Sequence, residues 1–170
     1  TRTPTRIPTA TMTPDVARCG DGLLEPGETC AECPADCAPA ACTPSGETAT
    51  VAVALQTDGG APTNAQVELA YRTTTLSIPG SGAARDVLLR VRFAPPVPNP
   101  FLVNDLDYAV RIDSTRNMGL PVAPAPFATV RFDRCGGAPA PTLDDLVCTV
   151  LSCTAGGSAI DDCACVITPQ

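Results

Sequence analysis

Apolar and polar positions alternate along most of the chain after residue 44. Val51, Val53 and Leu55 alternate with small neighbours, and Val67, Leu69 and Tyr71 with Glu68 and Ala70. Leu76 and Ile78 follow. Val87, Leu89, Val91 and Phe93 share one face of an extended segment, with Leu88, Arg90 and Arg92 on the other. Leu106, Tyr108, Val110 and Ile112 alternate with Asp107, Ala109 and Arg111, and Val130 and Phe132 flank Arg131. Two more runs are Leu146–Leu151 and Cys163–Ile167. A period of two predicts half-buried strands, and the Gly, Pro, Asn and Asp clusters between runs predict turns. About eight strands and no helical stripe predict an all-β sandwich of about 125 residues. Its expected core is Val53, Leu69, Tyr71, Val91, Tyr108, Val110, Val130 and Phe132. The Pro-rich stretch 95–100 belongs at an edge or in a loop. The last two runs read as a closing hairpin through Thr154–Ser158, which sets Cys148 opposite Cys165 within disulfide reach.

The first 43 residues lack this alternation. Residues 1–14 read TRTPTRIPTATMTP. Such a stretch cannot bury a core, and both Pro and Thr are at ease in extended backbone. It is a linker, either a plain spacer or a glycan carrier. In the second case Thr1, Thr3, Thr5, Thr9, Thr11 and Thr13 are the candidate O-glycosylation sites. Residues 15–43 form a cysteine-rich loop module holding Cys19, Cys30, Cys33, Cys37 and Cys42. A segment this short needs cross-links to keep a shape. The sandwich then occupies 44–170.

Composition narrows the chemistry. The chain has no His and no Trp, and all 11 of its Lys and Arg positions are Arg. Without imidazole there is no Ser–His triad and no His metal ligand; without Lys there is no Schiff base and no phosphate-binding lysine. A net charge of −7 with no basic stripe argues against nucleic acid and anionic membrane. No run approaches a transmembrane helix. Ten cysteines without His point to disulfides and an oxidising compartment, so an extracellular or cell-surface place is expected. The start, Thr1-Arg2-Thr3-Pro4, fits a processed product or a piece of something longer.

Two resemblances add to this. Cys19-Gly20-Asp21-Gly22, Pro26-Gly27-Glu28-Thr29-Cys30 and Cys33-Pro34-Ala35-Asp36-Cys37 resemble the cysteine-rich repeats of bacterial secreted proteins. Leu24 stands where many such repeats carry Cys. Residues 50–55, Val67-Glu68-Leu69-Ala70-Tyr71, Leu76 and Ile78, and the stretch 120–132 look like a cohesin-type β-sandwich of the jelly-roll type. Arg72-Thr73 replaces the Asp-Pro of that pattern. The resemblance implies that first and last strands are neighbours. Each cysteine cluster (19, 30, 33, 37, 42 and 135, 148, 153, 163, 165) holds an odd number. Either a bridge joins the clusters, with Cys42 reaching the C-terminal one, or one thiol of each pairs between chains.

Candidate sites are few. Cys30, Cys33, Cys37 and Cys42 are spaced closely enough for a metal thiolate site, but the second cluster lacks such spacing and disulfides are the better reading. Asp21, Glu25, Glu28 and Asp36 offer hard oxygen ligands among turns, which makes calcium the one candidate cofactor; Asp21 and Glu28 come first. Asp144-Asp145, Asp161-Asp162, Asp105 and Asp107 read as solubilising charge beside strands. No catalytic residue is nominated. The expected function is a non-enzymatic extracellular structural module, a subunit or tandem repeat of a bacterial surface filament or array. Its partners are copies of itself and, at the linker, glycans; the linker itself is expected to contact the next unit. The alternative is a cohesin-type module binding a dockerin-like partner or a carbohydrate.

Overall fold

The computed structural model describes residues 19–38, 42–93, 101–116 and 119–170. The linker, with its six candidate Thr positions, and residues 94–100 lie outside the described residues. The strands are β1 (Pro44–Gln56), β2 (Asn64–Tyr71), β3 (Leu76–Ser77), β4 (Val91–Phe93), β5 (Phe101–Asp105), β6 (Ala109–Thr115), β7 (Ala128–Cys135), β8 (Leu146–Ala155), β9 (Ser158–Ala159) and β10 (Ala164–Pro169). A single helical turn, α1 (Arg85–Leu88), and a 3-10 turn at Leu143–Asp145 complete the described elements. The first sheet runs β10-β1-β7-β3, with β4 beside β3 on the free side of β7. The second runs β5-β6-β2-β8-β9. Every strand pair within the sheets is antiparallel. The all-β sandwich expected from the alternation is therefore the observed fold.

The core follows from period-two side-chain direction. Val51, Val53 and Leu55 of β1 and Val130 and Phe132 of β7 meet Val67, Leu69 and Tyr71 of β2 and Val110 and Ile112 of β6. The Tyr71 and Phe132 rings, one from each sheet, lie 5.2 Å apart at a tilt of 57°. Seven of the eight expected core residues are buried. Tyr108 is the exception. It lies with Asp107 in a two-residue turn between β5 and β6, not on a strand, and packs on the outer face of the second sheet. The Asp105 carboxylate accepts the Asp107 N–H at 3.1 Å, and Asp107 takes φ +69°. An Asp bonding its own backbone two residues on makes a turn, and this outweighs the alternation.

The segment 87–93 also departs from expectation. It is α1 followed by β4, so Val87 and Val91 are buried while Leu89 is 59% exposed. Val87 and Val91 are four apart, a spacing that one helical turn satisfies as well as a strand does.

All ten cysteines are paired, as Cys19–Cys33, Cys30–Cys37, Cys42–Cys135, Cys148–Cys165 and Cys153–Cys163. Cys42–Cys135 is the bond between the two clusters. Cys148–Cys165 is present, but not across a hairpin. β8 turns through Gly156 and Gly157 into the short β9, while β10 crosses to the first sheet beside β1. The two bonds between 148–153 and 163–165 therefore rivet one sheet to the other along the edge where β8 faces β10. Pro169 is accommodated on that edge strand. The Gln170 N–H reaches the Thr50 carbonyl at 2.9 Å, so residues 170, 168, 166 and 164 point at β1 and Pro169 points away. Its missing N–H costs no ladder bond.

Losing the bond that spans more chain should destabilise more. Cys42→Ala with Cys135→Ala, which opens a loop of 93 residues, should cost about 4–5 kcal/mol on the chain-entropy model. Cys153→Ala with Cys163→Ala, across 10 residues, should cost about 3 kcal/mol. Urea titrations of the two double variants check the order.

Candidate functional site

The cysteine-rich module is built around one buried carboxylate. Asp36 is fully buried and accepts the N–H groups of Gly20 and Gly22, each at 2.7 Å. Both glycines have positive φ, which lets the two amides converge on it. Glu25-Pro26-Gly27-Glu28 is a turn closed by the Glu28 N–H on the Glu25 carbonyl, with Gly27 at φ +98°. Pro then Gly at its centre is the type II pattern. The Glu28 carboxylate reaches back to the Glu25 N–H at 2.9 Å. Thr29 Oγ1 accepts the Glu32 N–H at 3.3 Å and donates to the Glu32 carboxylate at 2.9 Å. The module's Asp36 and Glu28 carboxylates thus hold its own backbone.

Of the four calcium candidates, the structure brings Glu28 and Asp36 together beside the Cys19 and Cys33 sulfurs, with ligand atoms within 4.8 Å. Those sulfurs form a disulfide and are not thiolates. Asp21 is directed elsewhere: one oxygen accepts the Leu23 N–H at 3.0 Å and the other lies 2.9 Å from the Arg72 guanidinium. The Glu25 amide lies in the turn described above.

Arg72 clamps the module to the sandwich. Nη1 reaches the Asp21 carboxylate and, at 2.6 Å, the Asp21 carbonyl, while Nε reaches Asp145 at 2.9 Å. Asp145 in turn accepts the Thr142 N–H and caps the 3-10 turn. The Thr73 N–H donates to the Gly22 carbonyl at 2.9 Å. Leu23 is 2% exposed and packs with Leu24 on Ala70, Ala109, Tyr108 and Val147 of the second sheet's outer face. Leu23 and Leu24 serve as the apolar anchor and Arg72 as the polar one.

A second buried acid sits at the β5–β6 turn. Asp105 is 3% exposed; Oδ1 accepts the Tyr71 hydroxyl and the Asp107 N–H, each at 3.1 Å, and Oδ2 has no partner. Burial raises its pKa to about 6, above the ordinary carboxylate range, with Asp107 adding repulsion and the two hydrogen bonds opposing. The Tyr71 hydroxyl is raised far above its usual range by burial and then by Asp105. Alternation had placed Asp105 and Asp107 on one strand face as solubilising charge; burial and the turn remove both from that role. The other paired acids have ordinary duties: Asp162 accepts the Asp58 N–H at 2.7 Å.

One opening lies between the sheets beside the end of β10. β1 runs 13 residues, but β10 covers it only from Val51 to Gln56, and Gln170 adds one bond at Thr50. Toward Pro44, no strand among the described residues pairs with the other side of β1. Ala49, Val51 and Val53 turn their backbone groups to β7, so those of Thr48 point past the end of β10. Beside this part of β1 lies a mouth of about 460 Å³ between the sheets. Its floor includes Val51, Leu76, Phe132 and Leu146, and Thr142 and Leu143 form the far rim. None of its lining side chains is charged. Sequence reasoning missed this mouth, because the alternation marked the first strand only over 50–55 while β1 starts at Pro44. Comparison with protein-family models, with curated proteins and with solved structures finds no match.

Two outcomes test the polar groups. Arg72→Met should remove about 1–3 kcal/mol from module docking. The Gly20 and Gly22 amides should exchange faster in solvent while β2 and β6 stay protected. For Asp105, the native carboxyl holds its proton more tightly than the unfolded chain does. Its stability contribution is full below about pH 4 and is lost as pH rises through about 6. Asp105→Asn should therefore raise stability at pH 7, by up to about 3 kcal/mol, and leave it near unchanged at pH 4. Urea midpoints at the two pH values decide it.

Proposed function

We propose that this chain is an extracellular, non-enzymatic structural module that joins copies of itself into a bacterial surface filament or array. The observation that carries this reading is the cross-linking of the unit: one disulfide ties the module's chain to the end of β7, and two more tie sheet to sheet. Five disulfides suit an oxidising environment, and no helix among the described residues is long and apolar enough to cross a membrane. Riveted sheets and a clamped module suit a rigid unit. The buried and turn-bound carboxylates support the same reading, because they are occupied by backbone and by Arg72.

Light scattering of the whole chain from about 1 μM to 1 mM, followed by electron microscopy, tests it. Mass should grow with concentration and end in regular strands or arrays. A monomer at every concentration overturns the reading and leaves the receptor alternative.

A further inference from the structure

We infer that Asp105 is an acid-closed latch: its neutral carboxyl holds the β5–β6 turn and the link between β3 and α1 shut, and loss of its proton opens both in an otherwise folded chain. The device does not depend on the self-assembly reading above.

One residue ties three pieces of backbone here. The Asp105 N–H donates to the Gly82 carbonyl and the Asp105 carbonyl accepts the Gly82 N–H, each at 2.8 Å. That pair fastens the link, residues 78–84, to the end of β5. Oδ1 accepts the Asp107 N–H and the Tyr71 hydroxyl, each at 3.1 Å, which closes the turn onto β2. Oδ2 is buried without a partner. The charged carboxylate would leave that oxygen without a donor, so the closed arrangement suits the neutral form. Among the described residues no guanidinium is bonded to this carboxyl. Tyr71 faces it from β2 and Asp107 from its own turn. On β6, Val110 lies opposite and Arg111 is paired with Glu68. Residues 78–84 hold no titratable side chain. On α1, Arg85 and Asp86 are exposed. On β7, both Asp133 oxygens accept from Arg90.

The parts that open are lightly held. Ser81, Ala83 and Ala84, which flank Gly82, are exposed, and backbone with few buried apolar contacts opens at low free energy. Ile78, Pro79 and Gly80 of the link share the wall of a cavity of about 220 Å³ with Tyr71 and Asp107. A link that lifts lets water in beside both groups bonded to Oδ1. Burial, with repulsion from Asp107, holds the closed carboxyl at a pKa of about 6, while a carboxyl in water titrates near about 4. Between these values the closed form keeps a proton that the open form gives up, so raising the pH favours opening. The gap between the two values lets opening grow by up to about a hundredfold from about pH 3 to 8.

Amide exchange of the whole chain, followed by NMR from about pH 3 to 8 and divided by each amide's intrinsic rate, tests the latch. The Gly82, Asp105 and Asp107 amides should lose up to about a hundredfold of protection as pH rises, and should exchange faster than Val67 and Leu69 of β2 at every pH. About 1 M urea should leave these three unchanged and speed Val67 and Leu69, because a local opening exposes little surface. Asp105→Asn should keep the three amides protected with no dependence on pH. In the unaltered chain the Asp105 carboxyl carbon should titrate near about pH 6, where the loss of protection levels off, a reading that needs no variant. A flat profile at the three amides, a carboxyl that titrates near about pH 4, or a step that survives in Asp105→Asn overturns the latch. Exchange of the three in step with Val67 and Leu69, in both pH and urea, overturns it too, since the opening is then global.

Discussion

The Cys42–Cys135 bond ties the start of β1 to the end of β7, and the arrangement of everything before it depends on that tie. The module's other four cysteines pair among themselves, 19 with 33 and 30 with 37. Cys42 is thus the one that leaves. It delivers the module to one end of the sandwich, where Leu23 finds Ala70 and Ala109, and Asp21 finds Arg72. Chain-entropy reasoning assigns this bond the largest stabilisation of the five, because it closes the longest loop.

Much of the sandwich is written in its alternation, because a strand buried on one face shows period two directly. The failures came where a local bond outweighed that period. The run from Leu106 to Ile112 alternates well, yet Asp105 catches the Asp107 amide and makes a turn. Val87 and Val91 are four apart, which does not separate a helical turn from a strand. Parity of the cysteines left open a bridge between the clusters or a pairing between chains, and the structure holds the bridge; only the crossing of β10 to the first sheet shows that Cys148–Cys165 joins sheets rather than hairpin strands. The site was less legible. The acids of the module were visible as oxygen donors. That they serve Gly20, Gly22, Glu25 and Arg72 depends on positive-φ glycines and on packing across residues far apart in the chain.

Several polar groups in this protein are placed as fasteners. Asp36, Asp145 and Arg72 satisfy backbone or one another. Asp105 keeps an oxygen with no partner inside the fold, and a neutral carboxyl suits that site better than a charged one. The sandwich therefore carries its electrostatic weak point at the β5–β6 turn, far along the chain from the module that its other acids hold in place.

The pattern of bonds also has a mechanical meaning. Suppose tension is applied between the two ends of the described chain. The pull passes from Cys42 directly to Cys135 and from Cys148 directly to Cys165. The chain of 93 residues inside the first bond and of 17 inside the second carries none of it. At about 3.4 Å per extended residue, roughly 370 Å of contour is shielded from unravelling. β10 can peel from Pro169 only as far as Cys165 before the load meets a covalent bond. A unit pulled from both ends would stretch little until its sulfur links were reduced.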